Sequence, residues 1–400
     1  MKRALVVLAL LMLCLPGCKK TAEETEKAET AEIYTRGQGF SAEGITYVQD
    51  SIVLFADFAT GETMPLCSRP NCAHRGLTEE ENGNGTEGCM AYVKNAIQAV
   101  LYREKLYVFT EESGNIGIYV SEADGANRKL LAELQNAYFR AGFSTQFYDN
   151  KIVMIVAAKE VTKAEDGTME ITSPRRVVCI NCETGNVLDS DKRWDNPTEL
   201  YSVDGDVAYV SERYTIQEVF SLYTEEELNN NPELVRPYQR ESLWQCSLTD
   251  GTTTELFAGK LGADYFANGV NKEGAVLIEH KLNEKSKIVY YSFATQEEKE
   301  VPLETGIEGV KLFLMEKGSV LFTRSMKKVN GEDNELYRYY CDSGEVKTLK
   351  IDASLLPVKV LGGRLYCLKD GMTAVMSLED VLNGKCEVIY QMERDIYRTK

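Results

Sequence analysis

The sequence predicts an all-β protein of the β-propeller class, with seven four-stranded blades as the preferred count and six or eight as the alternatives. Short apolar runs recur along the chain, separated by tight turns rich in Asp, Asn and Gly. In six successive units the second run begins near residues 106, 152, 207, 276, 320 and 365, at intervals of 46, 55, 69, 44 and 45 residues. Helical repeats are disfavoured because they need an amphipathic helix in every unit.

The composition is that of a folded, acidic chain. Apolar residues make up 44% of the 400 residues, which is ordinary for a globular domain. The 62 Asp and Glu outnumber the 45 Lys and Arg, so the net charge is −17. An acidic surface repels phosphate backbones, and we therefore expect no nucleic-acid partner. Only two histidines are present, which leaves little room for His-rich catalysis.

Residues 1–17 have the pattern of an export signal. Lys2 and Arg3 precede a run of apolar residues, Ala4 to Leu15, that is too short to span a bilayer as a helix. The run ends in Leu15-Pro16-Gly17-Cys18, which resembles the lipobox of bacterial lipoproteins. The resemblance implies that Cys18 is lipidated and holds the protein at the outer face of the cytoplasmic membrane. The alternative is a cleaved secretory signal with an incidental cysteine.

Residues 18–32 are predicted to be a flexible tether. Between Lys19 and Glu32 the chain consists mainly of Thr, Ala, Glu and Lys with no large apolar side chain before residue 33. Such a segment cannot bury enough surface to offset its ordering entropy. The single propeller domain is predicted to occupy residues 33–400.

The first blade is predicted to draw on both ends of the domain. Residues 45–66 read as an incomplete first copy that lacks its innermost strand. Residues 395–398 have the length and apolar content to supply that strand and to close the ring, which would cover both free sheet edges.

The longest insertions are predicted to lie on one face of the propeller. Turns between strands one and two, and between three and four, define a short-turn face; connections between strands two and three, and between blades, define a long-loop face. Four insertions fall on the long-loop face: Cys67–Tyr92, Lys159–Pro174, Ser211–Glu241 and Ser325–Asn334. Long loops in compact domains are usually functional, so we expect recognition there. The alternative is that they are tolerated surface excursions.

The insertion in blade four predicts a short helix and an aromatic cluster. Thr224 and Glu227 form a capping box at the start of the helix. Four aromatic residues surround it: Tyr214, Phe220, Tyr223 and Tyr238. They are candidates for stacking on a sugar or gripping a peptide. The alternative is that they pin the insertion to the domain.

The first insertion carries a candidate metal site. Cys67, Cys72, His74 and Cys89 lie in one loop and match the ligand count of a closed tetrahedral zinc site. A structural zinc would stabilise a loop that has little core of its own. The alternatives are a disulfide with one remaining thiol, or reduced structural cysteines, and a catalytic or redox cysteine is least favoured.

These cysteine motifs resemble those of a known group of proteins. The lipobox and the propeller repeats accompany three short motifs: Pro65-Leu66-Cys67, Cys72-Ala73-His74 and Cys89-Met90-Ala91-Tyr92. Together they resemble surface lipoproteins of Gram-positive anaerobes with a DUF5050-like propeller domain. The resemblance implies a surface-attached propeller and carries no reaction.

Two classes of function remain. The favoured one is a membrane-anchored module that binds a peptide, a glycan or a cell-surface protein on the long-loop face without catalysis. The alternative is a hydrolase or lyase acting on polysaccharides, with paired acidic residues at the channel. No G-x-S-x-G nucleophile motif is present.

Overall fold

The computed structural model describes most of the predicted domain. The described residues are 30–34, 38–41, 43–78, 88–139, 145–163, 169–231, 234–257, 261–262, 265–279, 287–303, 310–316, 318–324, 334–352, 354–361, 363–370 and 372–391. The predicted signal peptide, Cys18 and residues 395–398 lie outside this set. Across the described residues, no helix combines the length and the apolar character needed to span a bilayer.

The structure is a seven-bladed propeller of four-stranded antiparallel blades, which confirms the predicted fold class and preferred blade count. From the centre outward, the first three blades contain β2 (Gln38–Phe40), β3 (Gly44–Gln49), β4 (Ile52–Asp57) and β5 (Thr63–Pro65); β6 (Ala96–Tyr102), β7 (Lys105–Glu112), β8 (Asn115–Glu122) and β9 (Lys129–Leu134); and β11 (Thr145–Tyr148), β12 (Lys151–Ala158), β15 (Arg175–Asn181) and β16 (Val187–Asp189).

The remaining four blades follow in chain order. They contain β17 (Thr198–Asp204), β18 (Val207–Thr215), β19 (Gln239–Ser247) and β20 (Thr253–Leu256); β21 (Tyr265–Val270), β22 (Gly274–Glu279), β23 (Lys287–Ser292) and β24 (Glu298–Glu300); β25 (Val310–Glu316), β26 (Ser319–Arg324), β27 (Asn334–Tyr340) and β28 (Val346–Ile351); and β29 (Leu356–Leu361), β30 (Arg364–Lys369), β31 (Met372–Ser377) and β32 (Val388–Gln391).

The innermost position of blade one is occupied from the N-terminal side. β2 pairs with β3, and β1 (Thr30–Tyr34) pairs with β2 and with β11 of blade three. The prediction that residues 395–398 supply this strand was therefore wrong, because β2 occupies the edge of β3. The first strand also begins at Thr30, within the segment predicted to be a tether.

The register of β1 shows where the chain enters the domain. Thr30 lies opposite Tyr148 at the end of β11, and Ile33 lies opposite Thr145 at its start. β11 runs toward the turn to β12, which belongs to the short-turn face. The chain therefore enters β1 at the short-turn face, and successive strand directions place the long connections at the opposite face.

The core lies between the blades because most strands are apolar on both sides. In β12, Ile152 to Ala157 are all buried, as expected for strands covered on both faces by neighbouring sheets. Phe147 of β11 packs against Tyr102 and Tyr107 of blade two at ring-centroid distances of 5.2 Å in both cases. Such contacts hold one blade against the next.

The insertion in blade four forms two short helices rather than one. α1 (Glu218–Leu222) precedes α2 (Glu225–Asn230), and a 3₁₀ turn (Arg236–Tyr238) leads into β19. The predicted capping box is present, because Thr224 Oγ1 accepts from the Glu227 backbone and the Glu227 carboxylate accepts from the Thr224 N–H at 2.8 Å. A third helix, α3 (Leu378–Leu382), follows β31.

Besides β1, three short strands of the described residues lie outside the blade pattern. β10 (Ala137–Tyr138) pairs with β12, and the insertion in blade three contains the hairpin of β13 (Glu160–Lys163) and β14 (Met169–Thr172). This hairpin and the helices of blade four both lie between strands two and three of their blades. Strand order therefore places them on the long-loop face, as predicted.

Candidate functional sites

The four predicted metal ligands converge in the loop between blades one and two. One ligand atom from each of Cys67, Cys72, His74 and Cys89 lies within 4.8 Å of all the others. Cys89 Sγ is 3.7 Å from His74 Nδ1. In a tetrahedral site with bonds of about 2.3 Å, sulfur atoms stand about 3.8 Å apart. The cluster therefore has the size and the donor set of a closed zinc site.

Blade one holds both ends of this loop in place. The Val53 N–H donates to Ala91 O at 2.9 Å, and the Leu66 N–H donates to Val53 O at 3.0 Å. The two stretches that carry Cys67 and Cys89 are thereby fixed on the same strand. Between them the backbone turns sharply at His74, whose φ is +48°. Non-glycine residues adopt this conformation rarely, so the local fold orients the imidazole at some cost.

Residues of blade two contact the other side of the cysteine loop. Arg128 donates from Nη2 to Met90 O and, at 3.0 Å, from Nη1 to Tyr92 O. Gly125, with φ of +81°, lies so close that a Cβ there would stand 2.7 Å from Met90 O. Burial lowers the pKa of Arg128, while the nearby Cys89 thiolate acts in the opposite direction. This guanidinium would offset the net charge of −1 that three thiolates and one Zn²⁺ carry.

The thiols of this loop are not equivalent. Burial opposes ionisation of Cys67, but hydrogen bonds from the Arg69 and Met90 N–H groups and from the other two thiols lower its pKa overall. Burial, followed by the Cys72 thiol, raises the pKa of Cys89 to about 11. A bound metal would deprotonate its thiol ligands outright. Among the described cysteines none forms a disulfide.

A second site is a cleft between blades four and five, beneath the blade-four insertion. Its volume is about 640 Å³, which is within the range of small-molecule sites. The lining residues come from the segment that leads into β17, from β18, the blade-four insertion and β19, and from blade five. They are Asn196, Pro197, Arg213, Tyr214, Thr215, Gln217, Phe220, Gln239, Arg240, Phe266, Ala267, Asn268 and Ile278. Strand order places this cleft at the long-loop face.

A buried carboxylate holds the floor of the cleft. The Glu241 side chain has no solvent exposure, and it accepts from Ser211 Oγ at 2.6 Å, from Arg213 Nε at 3.1 Å and from the Ala267 N–H at 2.6 Å. These contacts join both central strands of blade four to the innermost strand of blade five. Because each donor is paired, the buried charge is compensated.

Tyr201 extends this network from the innermost strand of blade four. Its hydroxyl lies 3.1 Å from Glu241 Oε1 and 2.9 Å from Ala267 O, and it accepts from Arg213 Nη2 at 2.7 Å. Burial, reinforced by the Glu241 charge, raises the pKa of Tyr201, so its proton stays in place. The Arg213 guanidinium is therefore held in one orientation at the floor of the cleft.

The cleft lining is basic although the chain is acidic. Its described residues include Arg213 and Arg240 and no carboxylate, in a protein with a net charge of −17. Arg240 Nη1 donates to Pro237 O at 2.9 Å and to Gln239 O at 2.7 Å. Among the residues that the structure describes, Arg240 forms no ion pair. No described carboxylate therefore neutralises the positive charge of this guanidinium.

The structure separates the four predicted aromatic residues into two pairs. Tyr214 and Phe220 line the cleft, and Phe220 is 56% exposed. Tyr223 and Tyr238 do not line it. Tyr238 ends the 3₁₀ turn, where its carbonyl accepts from the Ile216 N–H at 2.9 Å, so its backbone helps to close the insertion.

The sequence reasoning did not identify Arg213, Arg240 or Phe266 as site residues. Arg213 and Glu241 face each other across β18 and β19. The sequence signal that could have identified Arg213 is its opposite charge to Glu241 at the other end of the same insertion. No comparable signal exists for Phe266, because blade five approaches blade four only in the tertiary structure.

The sequence matches no protein-family model and no curated protein. Solved structures with a similar fold include the acylaminoacyl peptidase of Pyrococcus horikoshii, which is 13% identical over 88% of this chain and 51% of its own length, with a TM-score of 0.46. The β-propeller domain of the Trilobed protease from Pyrococcus furiosus is 11% identical over 94% of this chain and 99% of that domain, with a TM-score of 0.48.

An oligogalacturonate lyase from Vibrio parahaemolyticus is also similar, with 10% identity over 87% of this chain and 90% of the lyase, and a TM-score of 0.46. The chain spans about half the length of the acylaminoacyl peptidases that it matches. At these identities the likenesses concern the propeller fold alone.

Proposed function

We propose that this protein is a lipid-anchored, extracytoplasmic binding module that holds its ligand in the cleft between blades four and five, without catalysis. The observation that carries the proposal is the cleft itself, where aromatic, amide and guanidinium groups from two blades converge beneath a long insertion. A concave site with a few fixed polar groups is the usual form of a ligand-binding site.

Binding is favoured over polysaccharide cleavage by the placement of the acids. Glycoside hydrolysis generally needs two carboxyl groups facing one bond. No carboxylate is among the described residues that line the cleft, and Glu241 beneath it is buried and paired with Arg213. This carboxylate stabilises the floor of the cleft and has no access to a ligand.

The position of β1 supports presentation of the cleft away from the membrane. Eleven residues lie between Cys18 and Thr30, so the tether reaches at most about 40 Å. It joins the domain at the short-turn face, whereas the cleft opens at the long-loop face. A lipid on Cys18 would therefore hold the short-turn face toward the membrane.

A structural zinc ion at Cys67, Cys72, His74 and Cys89 forms part of the proposal. The three sulfur atoms and the imidazole nitrogen fit the tetrahedral donor set, and Arg128 offers the compensating charge. The ion would supply a cross-link for a loop with few apolar side chains. These residues would fix the loop between blades one and two and take no part in ligand chemistry.

The anchor is tested by expressing the full chain in a bacterium that processes lipoproteins. We expect the protein in the detergent-extracted membrane fraction and Cys18→Ala in the soluble fraction. A Cys18→Ala variant that remains in the membrane fraction would contradict lipidation at this residue.

The binding role is tested with the full chain in detergent on glycan and peptide arrays. We expect saturable retention of one ligand class, with the ligand recovered unchanged by mass spectrometry. Recovery of a cleaved ligand would overturn the non-catalytic reading. Phe220→Ala should weaken retention, whereas Phe58→Leu, far from the cleft in blade one, should not.

The orientation is tested in lipid vesicles by energy transfer to a headgroup dye. A dye attached to a short peptide tag inserted at residues 103–104 on the short-turn face should transfer more efficiently than one inserted between β13 and β14. Equal transfer, or the reverse order, would exclude the proposed orientation.

A further inference from the structure

We propose that the cleft recognises an acidic saccharide, in which a carboxylate on a sugar ring is bound by Arg213 and Arg240. This inference rests on the proposed function and names its ligand class.

The charge of the cleft is the first argument. The described lining residues include two arginines and no carboxylate, on a chain that carries 62 acidic residues against 45 basic ones. The buried Glu241 beneath the lining pairs with Arg213, so Arg240 supplies the positive charge that has no ion-pair partner among the described residues. An anionic ligand would be repelled by most of this surface and attracted at the cleft. Arginine is the side chain best suited to a carboxylate, because its planar guanidinium donates two parallel hydrogen bonds.

The second argument is that Arg213 is held in position before any ligand arrives. Its Nε donates to Glu241 and its Nη2 donates to Tyr201 Oη, while half of its side-chain surface remains exposed at the cleft. Because the guanidinium plane is already oriented, little rotamer entropy is lost when a carboxylate binds. Arg240 adds a second positive charge from the neighbouring strand.

The remaining lining residues favour a sugar over an acidic peptide. Four amide side chains line the cleft: Asn196, Gln217, Gln239 and Asn268. An amide offers both donors and an acceptor, which match the hydroxyl groups of a sugar. Phe220 is exposed at the rim, and Phe266 lies in the lining, so aromatic faces are available for a sugar ring. Ile278 is the one branched aliphatic side chain among the described lining residues, whereas peptide recognition relies on pockets for apolar side chains.

The test uses the full chain in detergent and measures affinity by titration calorimetry. The probes are a uronic-acid trisaccharide, its fully methyl-esterified form, and an acidic peptide of the same net charge. We expect the free acid to bind about ten- to hundredfold more tightly than the ester, since a charge-assisted hydrogen-bond pair is lost in the ester.

Two variants assign the effect to the arginines. Arg240→Gln should weaken binding of the free acid and leave binding of the ester unchanged. Arg213→Lys keeps the charge but removes the Nη1 donors, which are not used by Glu241 or Tyr201, and should weaken binding of the free acid by about tenfold. Arg103→Gln, on the short-turn face, is the matched control and should change neither. If Arg213→Lys does not fold, Arg240→Gln alone decides the outcome.

The outcomes separate this inference from the proposed function. Equal affinity for acid and ester, or tighter binding of the acidic peptide, would overturn the acidic-saccharide inference while leaving a binding role in place. Absence of binding to every probe, together with empty glycan and peptide arrays, would overturn both.

Discussion

Glu241 and Arg213 face each other across two strands of blade four, with Oε1 and Nε 3.1 Å apart. The carboxylate is fully buried, whereas half of the arginine side chain is exposed. The pair thus connects the core between blades four and five to the floor of the cleft. Its two residues also stand at opposite ends of the insertion that covers the site.

Glu241→Gln should lower the free energy of unfolding by about 2 kcal/mol, because the donors of Ser211, Arg213 and Ala267 would lose a charged acceptor in a buried position. Urea denaturation of the full chain measures the effect. Glu122→Gln is the control, since its partner Lys105 lies 2.7 Å away in an exposed pair. That variant should change stability by less than about 1 kcal/mol, and equal losses would refute the structural role assigned to Glu241.

The purified protein should contain one zinc ion per chain by elemental analysis, and Cys72→Ser should lose it because a closed structural site needs all four ligands. Removing the metal with a chelator should lower the thermal midpoint, since metal binding contributes to folding free energy. Cys367→Ala is the control. Because Cys367 is buried in blade seven and is not one of the four ligands, this variant should still contain one zinc ion per chain. A metal-free protein with an intact disulfide in this loop would rule the zinc site out.

Stability should decline at alkaline pH because of buried thiols. Burial, then the neighbouring Cys386, raises the pKa of Cys367 to about 12, and burial, then Asp191, raises that of Cys246 to about 12. In an unfolded chain the pKa of a cysteine thiol is about 8.5. Their contribution is fully present below that pH and is lost as the pH rises toward 12, because the unfolded state releases its protons first.

Between roughly pH 9 and 12, each such thiol should lower the free energy of unfolding by about 1.4 kcal/mol for every unit that the pH rises. Cys367→Ala should therefore flatten the dependence of unfolding free energy on pH. Val375→Ala, also buried in blade seven, should lower stability at all pH values without changing the slope. An unchanged slope in Cys367→Ala would show that this thiol does not carry the effect.

The N-terminal strands should contribute to stability independently of the anchor. Deleting residues 19–41 removes β1 and β2 and uncovers the inner edges of β3 and β11, and should cost roughly 2 kcal/mol or more. Deleting residues 19–29 alone should cost little. Urea denaturation of both variants, made in the Cys18→Ala background, gives the comparison. Similar stability of the two would mean that the pairing of β1 with β11 contributes nothing.

Much of the fold was accessible from local patterns. The turn residues and the interval of about 45 residues predicted the blades because each blade is a meander of consecutive strands with local pairing. The capping box at Thr224 and Glu227 was predicted for the same reason, since both partners lie within one helical turn. The metal cluster was also visible, because Cys67, Cys72, His74 and Cys89 occupy a single loop.

The pairing of β1 with β11 was not predictable in this way. More than one hundred positions separate Thr30 from Tyr148, and neither strand carries a signal that specifies the other. The length and apolar content of residues 395–398, which include Ile396 and Tyr397, predicted instead that these residues form the innermost strand of blade one. The choice depends on the shape of the ring, where β2 packs so closely on β6 that a Cβ on Gly39 would clash with Ala99 O.

Sequence alone determined the all-β class, the repeat of four-stranded units, the cap of the inserted helix and the composition of the cysteine loop, because each depends on residues close together along the chain. Only the tertiary structure decided that Arg213, Arg240 and Phe266 share one cleft with a buried Glu241 beneath it. The physical reason is that this site forms where two blades meet, and contacts between separately formed sheets depend on ring geometry that no local pattern encodes.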